Sequence, residues 1–385
     1  MASSSDSYDF IFLGAGCASL SILSRLIDSG KFKNKKILLV DKESKTKNDR
    51  TWCFWEERPG FFQNIVFKEW KALDFISQHL FISLDINPYS YKMIRGIDFY
   101  NYCFEKISKQ PNIVIEKSNI SFQDNEPSIA LNGNPLNCKS AIVFNSIYIP
   151  KPRVKSYHYL KQHFKGFVVE SSSPIFDTTK ATLMDFRVDQ SQGTTFVYML
   201  PLTRNRALVE YTQFSASTLP SAEYDSFLDS YLSKVIGLET YKIIEEEIGV
   251  IPMISQPFSN YNNGMYQIGT AGGQTKASTG YTFNFIQKQA DKILARLLEG
   301  KTPLSTNTGA KRFDFYDNTL LHILAGKKLR GKEIFERLFS ENKASSVFKF
   351  LDNETTLKEE LRIINSLPKT VFLKAGFKEF VKLLT

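Results

Sequence analysis

The N-terminal segment constrains the fold most, because an apolar run leads into glycines, a helical pattern and a second apolar run. The first run, Tyr8–Leu13, predicts a buried parallel strand, and Gly14, Ala15 and Gly16 follow it directly. The second run ends at Asp41, in position to accept a hydrogen bond from a ribose hydroxyl. In this dinucleotide fingerprint, the glycines permit a tight turn and let the backbone approach a pyrophosphate. The pattern predicts an α/β nucleotide-binding lobe.

A second glycine-rich segment lies far downstream, in Met265–Gly300. It begins as a strand, passes through Gly269 and Gly272, and ends in a long amphipathic helix. Glycines here would let backbone amides reach a flavin ring, and a turn without a ligand is the alternative. Together the two segments favour FAD over NAD. Many flavin hydroxylases carry an acid where this chain has Thr270, which counts against a standard hydroxylase.

The middle of the chain predicts an antiparallel hairpin over Thr194–Phe214, where two apolar runs flank a polar turn. Glu210 is the only acid of either run, and Tyr211 lies on the opposite face of the strand. Glu210 either faces solvent or points into a ligand cavity, where burial would raise its pKa. The acids of Glu245–Glu247 are expected to be solvated charges at a helix end. Arg95 either meets a phosphate or flavin oxygen or caps local structure.

Composition narrows the class of protein. The 385 residues are 42% hydrophobic, and the four cysteines show no paired spacing, which favours reduced thiols in the cytoplasm. His158 and His163 fit no ligand motif, so we predict no metal site. The net charge of +9 suits a solvated basic surface, nucleic acid or an anionic membrane, but no basic run is interleaved with aromatics. We therefore expect no nucleic acid partner and only peripheral membrane contact.

In this order, the segments resemble the bacterial flavoprotein lycopene cyclases of the β-cyclase type. The matching pieces run from residue 9 to about residue 283, with a further piece from Lys311: DFIFLGAGCASL, NDRTWCFWEE, YKMIRGIDF, LMDFRVDQ, FVYMLPL, ALVEYTQFS, EEIGVIPM, GTAGGQTKASTGYTF and KRFDFYDNTLL. The resemblance implies an α/β fold with a Rossmann-like FAD-binding domain, related to the glutathione-reductase and hydroxylase folds. It also implies an inserted antiparallel-sheet substrate domain and a helical C-terminal tail.

The motifs divide the chain into three regions. We predict a discontinuous FAD-binding lobe from residues 1–150 and 250–310. A substrate lobe occupies residues 151–249, and a helical C-terminal region, residues 311–385, closes the pocket.

The resemblance implies an isomerase that converts the linear ψ-ends of lycopene, or of a related acyclic carotenoid, to β-ionone rings, giving β-carotene via γ-carotene. It implies FAD in its reduced form, NAD(P)H as the reductant and no net redox change. Glu210 matches the family's essential acid, whereas Tyr211 stands where a second acid is common. Thr279 and Gly280 match the family's motif near the flavin. The predicted cofactor-binding residues are Gly14, Ala15, Gly16, Asp41, Arg95, Gly269, Gly272, Thr279 and Gly280.

Two of the three tryptophans, Trp52 and Trp55, follow the polar loop after Asp41. With Tyr211, they are expected to line the substrate tunnel, and ordinary packing is the alternative. Because a carotenoid resides in the bilayer, we expect a cytoplasmic protein bound peripherally to the inner face of the membrane. The segment Thr370–Thr385 is either an interfacial helix or a helix packed on the core.

Two other functions share the fingerprint. One is an FAD-dependent monooxygenase or dehydrogenase acting on another apolar, isoprenoid substrate. The other is a flavin-bearing or membrane-tethering protein without catalysis.

Overall fold

A computed structural model describes residues 7–122, 129–150, 152–304 and 311–384. The predicted lobe boundaries at residue 151 and at 305–310 lie outside these ranges. Nine helices fall within them, numbered here in chain order: α1 (Cys17–Ser29), α2 (Gly96–Ser108), α3 (Ser221–Tyr231), α4 (Phe283–Leu298), α5 (Lys311–Ala325), α6 (Gly331–Ser340), α7 (Ala344–Leu351), α8 (Leu357–Ser366) and α9 (Lys369–Leu384).

The strands of the same ranges are numbered in the same way: β1 (Phe10–Leu13), β2 (Ile37–Asp41), β3 (Thr51–Glu56), β4 (Lys68–Trp70), β5 (Ala72–Ile76), β6 (Phe81–Asp85), β7 (Ser90–Arg95), β8 (Ile113–Lys117), β9 (Ile120–Phe122), β10 (Ile129–Leu131), β11 (Asn134–Pro135), β12 (Ile142–Asn145), β13 (Tyr159–Glu170), β14 (Lys180–Asp185), β15 (Thr194–Pro201), β16 (Arg206–Ser215), β17 (Lys242–Ile254), β18 (Tyr261–Asn262) and β19 (Met265–Gln267).

The predicted strand–glycine–helix–strand unit is confirmed and forms the centre of a six-stranded sheet. The strand order is β18-β19-β12-β1-β2-β8, and β1 pairs in parallel with both β2 and β12. Strand β19, between β18 and β12, begins the downstream glycine segment, which continues through a 3-10 turn at Gly269–Gly272 into α4. Residues far apart in the chain therefore meet at the carboxyl ends of these parallel strands, where α/β sheets bind nucleotides.

A seven-stranded sheet, in the order β17-β13-β16-β15-β14-β5-β6, forms the second layer. The predicted hairpin is confirmed as β15 and β16, which pair from Thr194 and Phe214 to Pro201 and Ala207. The helix end predicted at Glu245–Glu247 is wrong, because this segment lies in β17 and pairs along the length of β13. That long ladder outweighs the low strand propensity of three glutamates. The sheet also takes β5 and β6 from residues 72–85, outside the range predicted for the substrate lobe.

Helices cover both faces of the seven-stranded sheet. On one face, Phe335 and Phe339 of α6 pack with Phe75 and Phe186 of the sheet segments. On the other face, α3 packs against the residues of β16 that alternate with Glu210. No helix in the described part of the chain is both long and apolar enough to cross a bilayer.

Candidate active site

A cavity of about 550 Å³ lies where the carboxyl end of the six-stranded sheet faces the seven-stranded sheet. Trp52 and Cys53 of β3 line one side, and Glu210 and Glu247 line the other. The loop before α4 contributes Tyr281 to the same wall. Among the described residues that line this cavity, none comes from α5–α9, which were predicted to close it. These helices instead pack behind the sheet and the loop.

Two carboxyl groups meet at the wall of this cavity. The carboxyl groups of Glu210 and Glu247 interact with each other, and burial raises the pKa of both groups. The adjacent Glu247 charge adds to burial in raising the pKa of Glu210. Thr212 Oγ1 donates to Glu210 Oε1 at 2.8 Å, and Thr51 Oγ1 donates to Glu247 Oε2 at 2.7 Å. Burial therefore favours the neutral form of these carboxyl groups at the cavity wall.

The groups around Glu210 are weak acids that stay neutral near neutral pH. Burial raises the pKa of the Cys53 thiol and of the Tyr198 and Tyr91 phenols well above their usual values. Burial also raises the pKa of Tyr281 to about 12. The rings offer π faces and the site offers few nucleophiles, a combination that suits an electron-poor intermediate.

The predicted fingerprint residues meet at the start of α1. Gly14 has φ +88°, and a Cβ there would lie 2.5 Å from Ser146 Oγ, so the turn requires glycine. Gly16 is the N-cap of α1 without a side-chain cap, and no described atom lies within 4 Å of the place of a Cβ. Asp41 Oδ2 accepts from the Ala15 amide at 2.7 Å. An open helix N-terminus beside a flat glycine turn fits a pyrophosphate.

Two orphaned polar atoms mark where a further ligand group would fit. Thr279 Oγ1 and Gln162 Oε1 are buried, line the cavity and have no hydrogen-bond partner among the described residues. Gly280, with φ +73°, follows Thr279 on the same wall. Gly269 and Gly272 do not line the cavity: a Cβ at Gly269 would lie 2.8 Å from Ala18, so that glycine serves close packing.

Three predicted site residues lie elsewhere. Arg95 pairs with Asp98 at 2.6 Å, because α2 begins directly after it, and lines a smaller neighbouring cavity. Trp55 stacks on Phe348 at 4.5 Å and is buried away from the main cavity; it shares a face of β3 with Cys53 but lies two residues further along the strand. Tyr211 stacks on Phe227 of α3 at 4.9 Å, since adjacent strand residues face opposite ways. Of the predicted tunnel residues, Trp52 lines the cavity.

Glu247, Thr51 and Gly166 were missed by the sequence prediction. Glu247 lies in the EEIGVIPM piece, whose acids looked like solvated charges. A strand pattern with Gly249, Ile251 and Met253 on one face would have turned Glu247 inward.

A cluster of His158, His322 and Glu379 connects the residue before β13 with α5 and α9, which sequence spacing could not show. Glu379 Oε1 lies 2.9 Å from His158 Nε2 and 2.6 Å from His322 Nδ1. Lys382 Nζ donates to the same oxygen at 2.8 Å, and Lys328 contacts His322. Because these ammonium groups already neutralise the carboxylate and would repel a cation, we assign the cluster to anchoring α9.

The fold is shared with flavin enzymes. One similar structure is a flavoprotein/dehydrogenase from Cytophaga hutchinsonii, with TM-score 0.62, 9% identity and coverage of 98% of this chain and 100% of that one. Another is a probable FAD-dependent monooxygenase from Pseudomonas aeruginosa, with TM-score 0.52, 13% identity and coverage of 84% and 98%. The predicted α/β fold, which these flavin enzymes share, is therefore confirmed.

Sequence comparison identifies the family. A chloroplastic neoxanthin synthase from Solanum lycopersicum is 24% identical over 320 residues, which span 76% of this chain and 61% of that protein. The matched region is thus less than two thirds of the relative's length. The family described as "Lycopene cyclase protein" matches residues 9–375, nearly the whole chain. The resemblance drawn from the motifs is thereby confirmed, and the chain belongs to the lycopene cyclase family.

Proposed function

We propose that the protein is a flavin-dependent lycopene β-cyclase, an isomerase that closes the ψ-ends of lycopene or a related acyclic carotenoid into β-ionone rings. The observation that carries this proposal is the buried Glu210 carboxyl group at the cavity wall, beside aromatic side chains, where burial raises its pKa. Membership of the lycopene cyclase family supports the substrate class, as does the name of the neoxanthin synthase relative.

Cyclisation begins with transfer of the Glu210 proton to the terminal alkene. The O–H bond breaks, a C–H bond forms, and the chain closes through a tertiary cation. An alkene is a very weak base, so its proton donor must be aimed at it and shielded from water. Loss of a ring proton to a carboxylate then restores the acid and leaves no net redox change.

The cation between these steps needs stabilisation without capture. Trp52, Tyr198 and Tyr281 line the cavity, and aromatic faces attract a positive charge without bonding to it. Water would convert the cation to an alcohol. A site that excludes water during the reaction would therefore protect the intermediate as well as the acid.

FAD is the cofactor that the chain fits best. The turn at Gly14–Gly16 would hold the pyrophosphate and Asp41 would accept from the ribose. Thr279 and Gln162 would offer buried polar atoms to the ring. When bound and reduced by NAD(P)H, the flavin supplies negative charge near the cation. An anaerobic assay with and without NAD(P)H tests this requirement.

Pigment analysis tests the function. We expect a bacterium that accumulates lycopene and expresses this chain to form cyclic carotenoids, resolved by chromatography. Glu210→Gln should abolish cyclisation and retain bound FAD, since it keeps the size of the side chain and removes the acid. Unchanged lycopene with the wild-type chain would refute the cyclase, and oxygenated products would favour a monooxygenase.

The substrate implies contact with the cytoplasmic face of the membrane. Helix α9 packs on α5 through buried Ala375 and presents Leu373 and Phe377, each 70% exposed, on its outer side. Lys374 and Lys378 stand beside them, and the chain has a net charge of +9. Apolar side chains flanked by lysines suit the headgroup region of an anionic bilayer, so we propose that α9 docks there.

A further inference from the structure

We propose that Glu247 is a positioning residue that shares one proton with Glu210 across Gly166 and thereby keeps Glu210 in its acid form. The inference deepens the proposed cyclase and rests on it for the reaction that the pair serves. The proton sharing itself concerns the protein alone and can be measured without a carotenoid.

Strand register brings the two glutamates together. Gly166 of β13 pairs with Glu210 of β16 on one side and with Glu247 of β17 on the other. All three residues therefore lie in one row, and the two side chains project from the same face of the sheet. Adjacent strands are about 4.8 Å apart, so the glutamate Cα atoms lie about 10 Å apart with only a glycine between them.

Gly166 leaves the space in which the carboxyl groups meet. A Cβ there would lie 3.0 Å from Leu208 Cδ1, 3.3 Å from Glu247 Cγ and 3.4 Å from Glu210 Cβ. A larger residue would separate the two side chains. The glycine is not required by its backbone, because its φ lies outside the left-handed region.

Hydrogen-bond counting favours one proton between the carboxyl groups. Thr212 donates to one oxygen of Glu210, and Thr51 donates to one oxygen of Glu247. The two side chains lie in one row on the same face, and a hydrogen bond between them needs a proton, because two carboxylates have none to donate. One shared proton satisfies this geometry, as in other carboxyl pairs that occupy a common site.

The charge of Glu247 opposes ionisation of Glu210. Once Glu210 has given its proton to the alkene, two carboxylates face each other and favour recapture of a proton from the ring. The O–H bond broken in the first step is thus remade in the last, with Glu247 acting only through its partner.

No other titratable group next to Glu210 in the described part of the chain supplies a charge that would oppose its ionisation as Glu247 does. Cys53 of β3, Tyr91 of β7, Tyr198 of β15 and Tyr281 before α4 face Glu210, and burial holds each of them neutral. Glu247 also senses two charged groups, Glu245 on its own strand and Arg50 before β3, which act in opposite directions on its pKa.

The test compares three variants in the full chain with bound flavin. Glu247→Gln removes the charge, and Gly166→Ala wedges the pair apart. Glu246→Gln is the matched control, because Glu246 lies on the opposite face of β17 and pairs with Lys165 at 3.1 Å. Infrared spectroscopy follows the C=O stretch of protonated carboxyl groups during a pH titration. Carotenoid conversion is measured over the same pH range.

In Glu247→Gln, we expect the infrared signal of the buried acid to be lost at a pH at least about one unit lower than in the wild type. The alkaline fall in kcat/KM should shift to lower pH by the same amount. Gly166→Ala should move both in the same direction, and Glu246→Gln should move neither. Identical infrared titrations of wild type and Glu247→Gln would overturn the shared proton. If the titration shifts but lycopene is not cyclised, the proposed function is wrong and the shared proton is supported. If lycopene is cyclised but the alkaline fall in kcat/KM stays at the same pH, the shared proton is wrong and the proposed function is supported.

Discussion

Neutralising Asp317 tests how the C-terminal helices hold the cavity wall. Lys276 Nζ lies 3.0 Å from Asp317 Oδ1 on α5 and donates to Asn353 Oδ1 at 2.7 Å. Ser278 donates to the same aspartate at 2.7 Å. The side chains of Lys276 and Asp317 are 1% and 10% exposed. This ion pair fastens the loop that carries Thr279 to α5, so its loss should affect both stability and flavin retention.

The structure sets the expected magnitude for Asp317→Asn. Unit charges 3.0 Å apart attract by about 5 kcal/mol at an effective dielectric constant of about 20. The asparagine keeps the shape and part of the hydrogen bonding but leaves the Lys276 ammonium buried without a counter-charge. Breaking a buried pair in this way costs about 3–5 kcal/mol of unfolding free energy. Replacing both partners, as Lys276→Met with Asp317→Leu, should recover most of that loss.

Urea unfolding followed by tryptophan fluorescence gives the free energies, since the midpoint shift at constant slope reports the change in stability. Glu105→Gln is the control. Lys109 and Glu105 lie at a comparable 2.7 Å, but their side chains are 67% and 70% exposed, so this substitution should leave the midpoint unchanged. A loss below about 1 kcal/mol for Asp317→Asn, or a double variant no better than the single, would refute the reasoning.

Three further predictions concern the acid, the cofactor turn and the membrane. Burial raises the pKa of Glu210 above its usual 4.5. The stability that comes from its protonated form is therefore complete below pH 4.5 and is lost as pH rises through the pKa of the folded state. We expect the melting temperature of Glu210→Gln to exceed that of the wild type in alkaline buffer and to equal it near pH 4. Gly14→Ala should lose the flavin that copurifies with the protein, as measured by its absorbance. Gly30→Ala is the control and should retain the flavin, because no described atom lies within 4 Å of the added Cβ. Leu373→Ser combined with Phe377→Ser should reduce sedimentation with anionic vesicles.

Each of these has a contrary outcome. Equal melting of Glu210→Gln and wild type at every pH would mean that the carboxyl group is solvated. Full flavin content in Gly14→Ala would remove the turn from the cofactor site. Unchanged vesicle binding by the double variant would place the membrane contact elsewhere on the protein.

Local patterns predicted the elements that depend on adjacent residues. The turn at Gly14 and the carboxylate at Asp41 follow from short-range periodicity. Alternation within the hairpin left Glu210 facing either solvent or a cavity, and the family resemblance assigned it as the acid. The same alternation placed Tyr211 on the opposite face, so predicting it as a lining residue contradicted the pattern, and the structure follows the pattern.

Non-local pairing accounts for most of what the sequence did not show. Three consecutive glutamates look like a solvated segment until β13 supplies a partner strand, which then turns Glu247 inward. The contact of His158 with His322 and Glu379 likewise depends on how α5 and α9 pack against β13. Neither feature has a signature within a window of neighbouring residues.

The entry of β5 into the seven-stranded sheet has a consequence for synthesis and recombination. Ala72 pairs with Lys180, so β5 leaves the ribosome long before β14, the strand that it borders. Until β14 has been synthesised, the edge of β5 is unpaired and its apolar side chains are exposed, so we expect chaperones to bind the nascent chain at that stage. For chimeras between relatives, any crossover between residues 86 and 179 separates β5 from β14. We expect chimeric proteins to fold mainly when the paired residues of β5 and β14 come from the same parent.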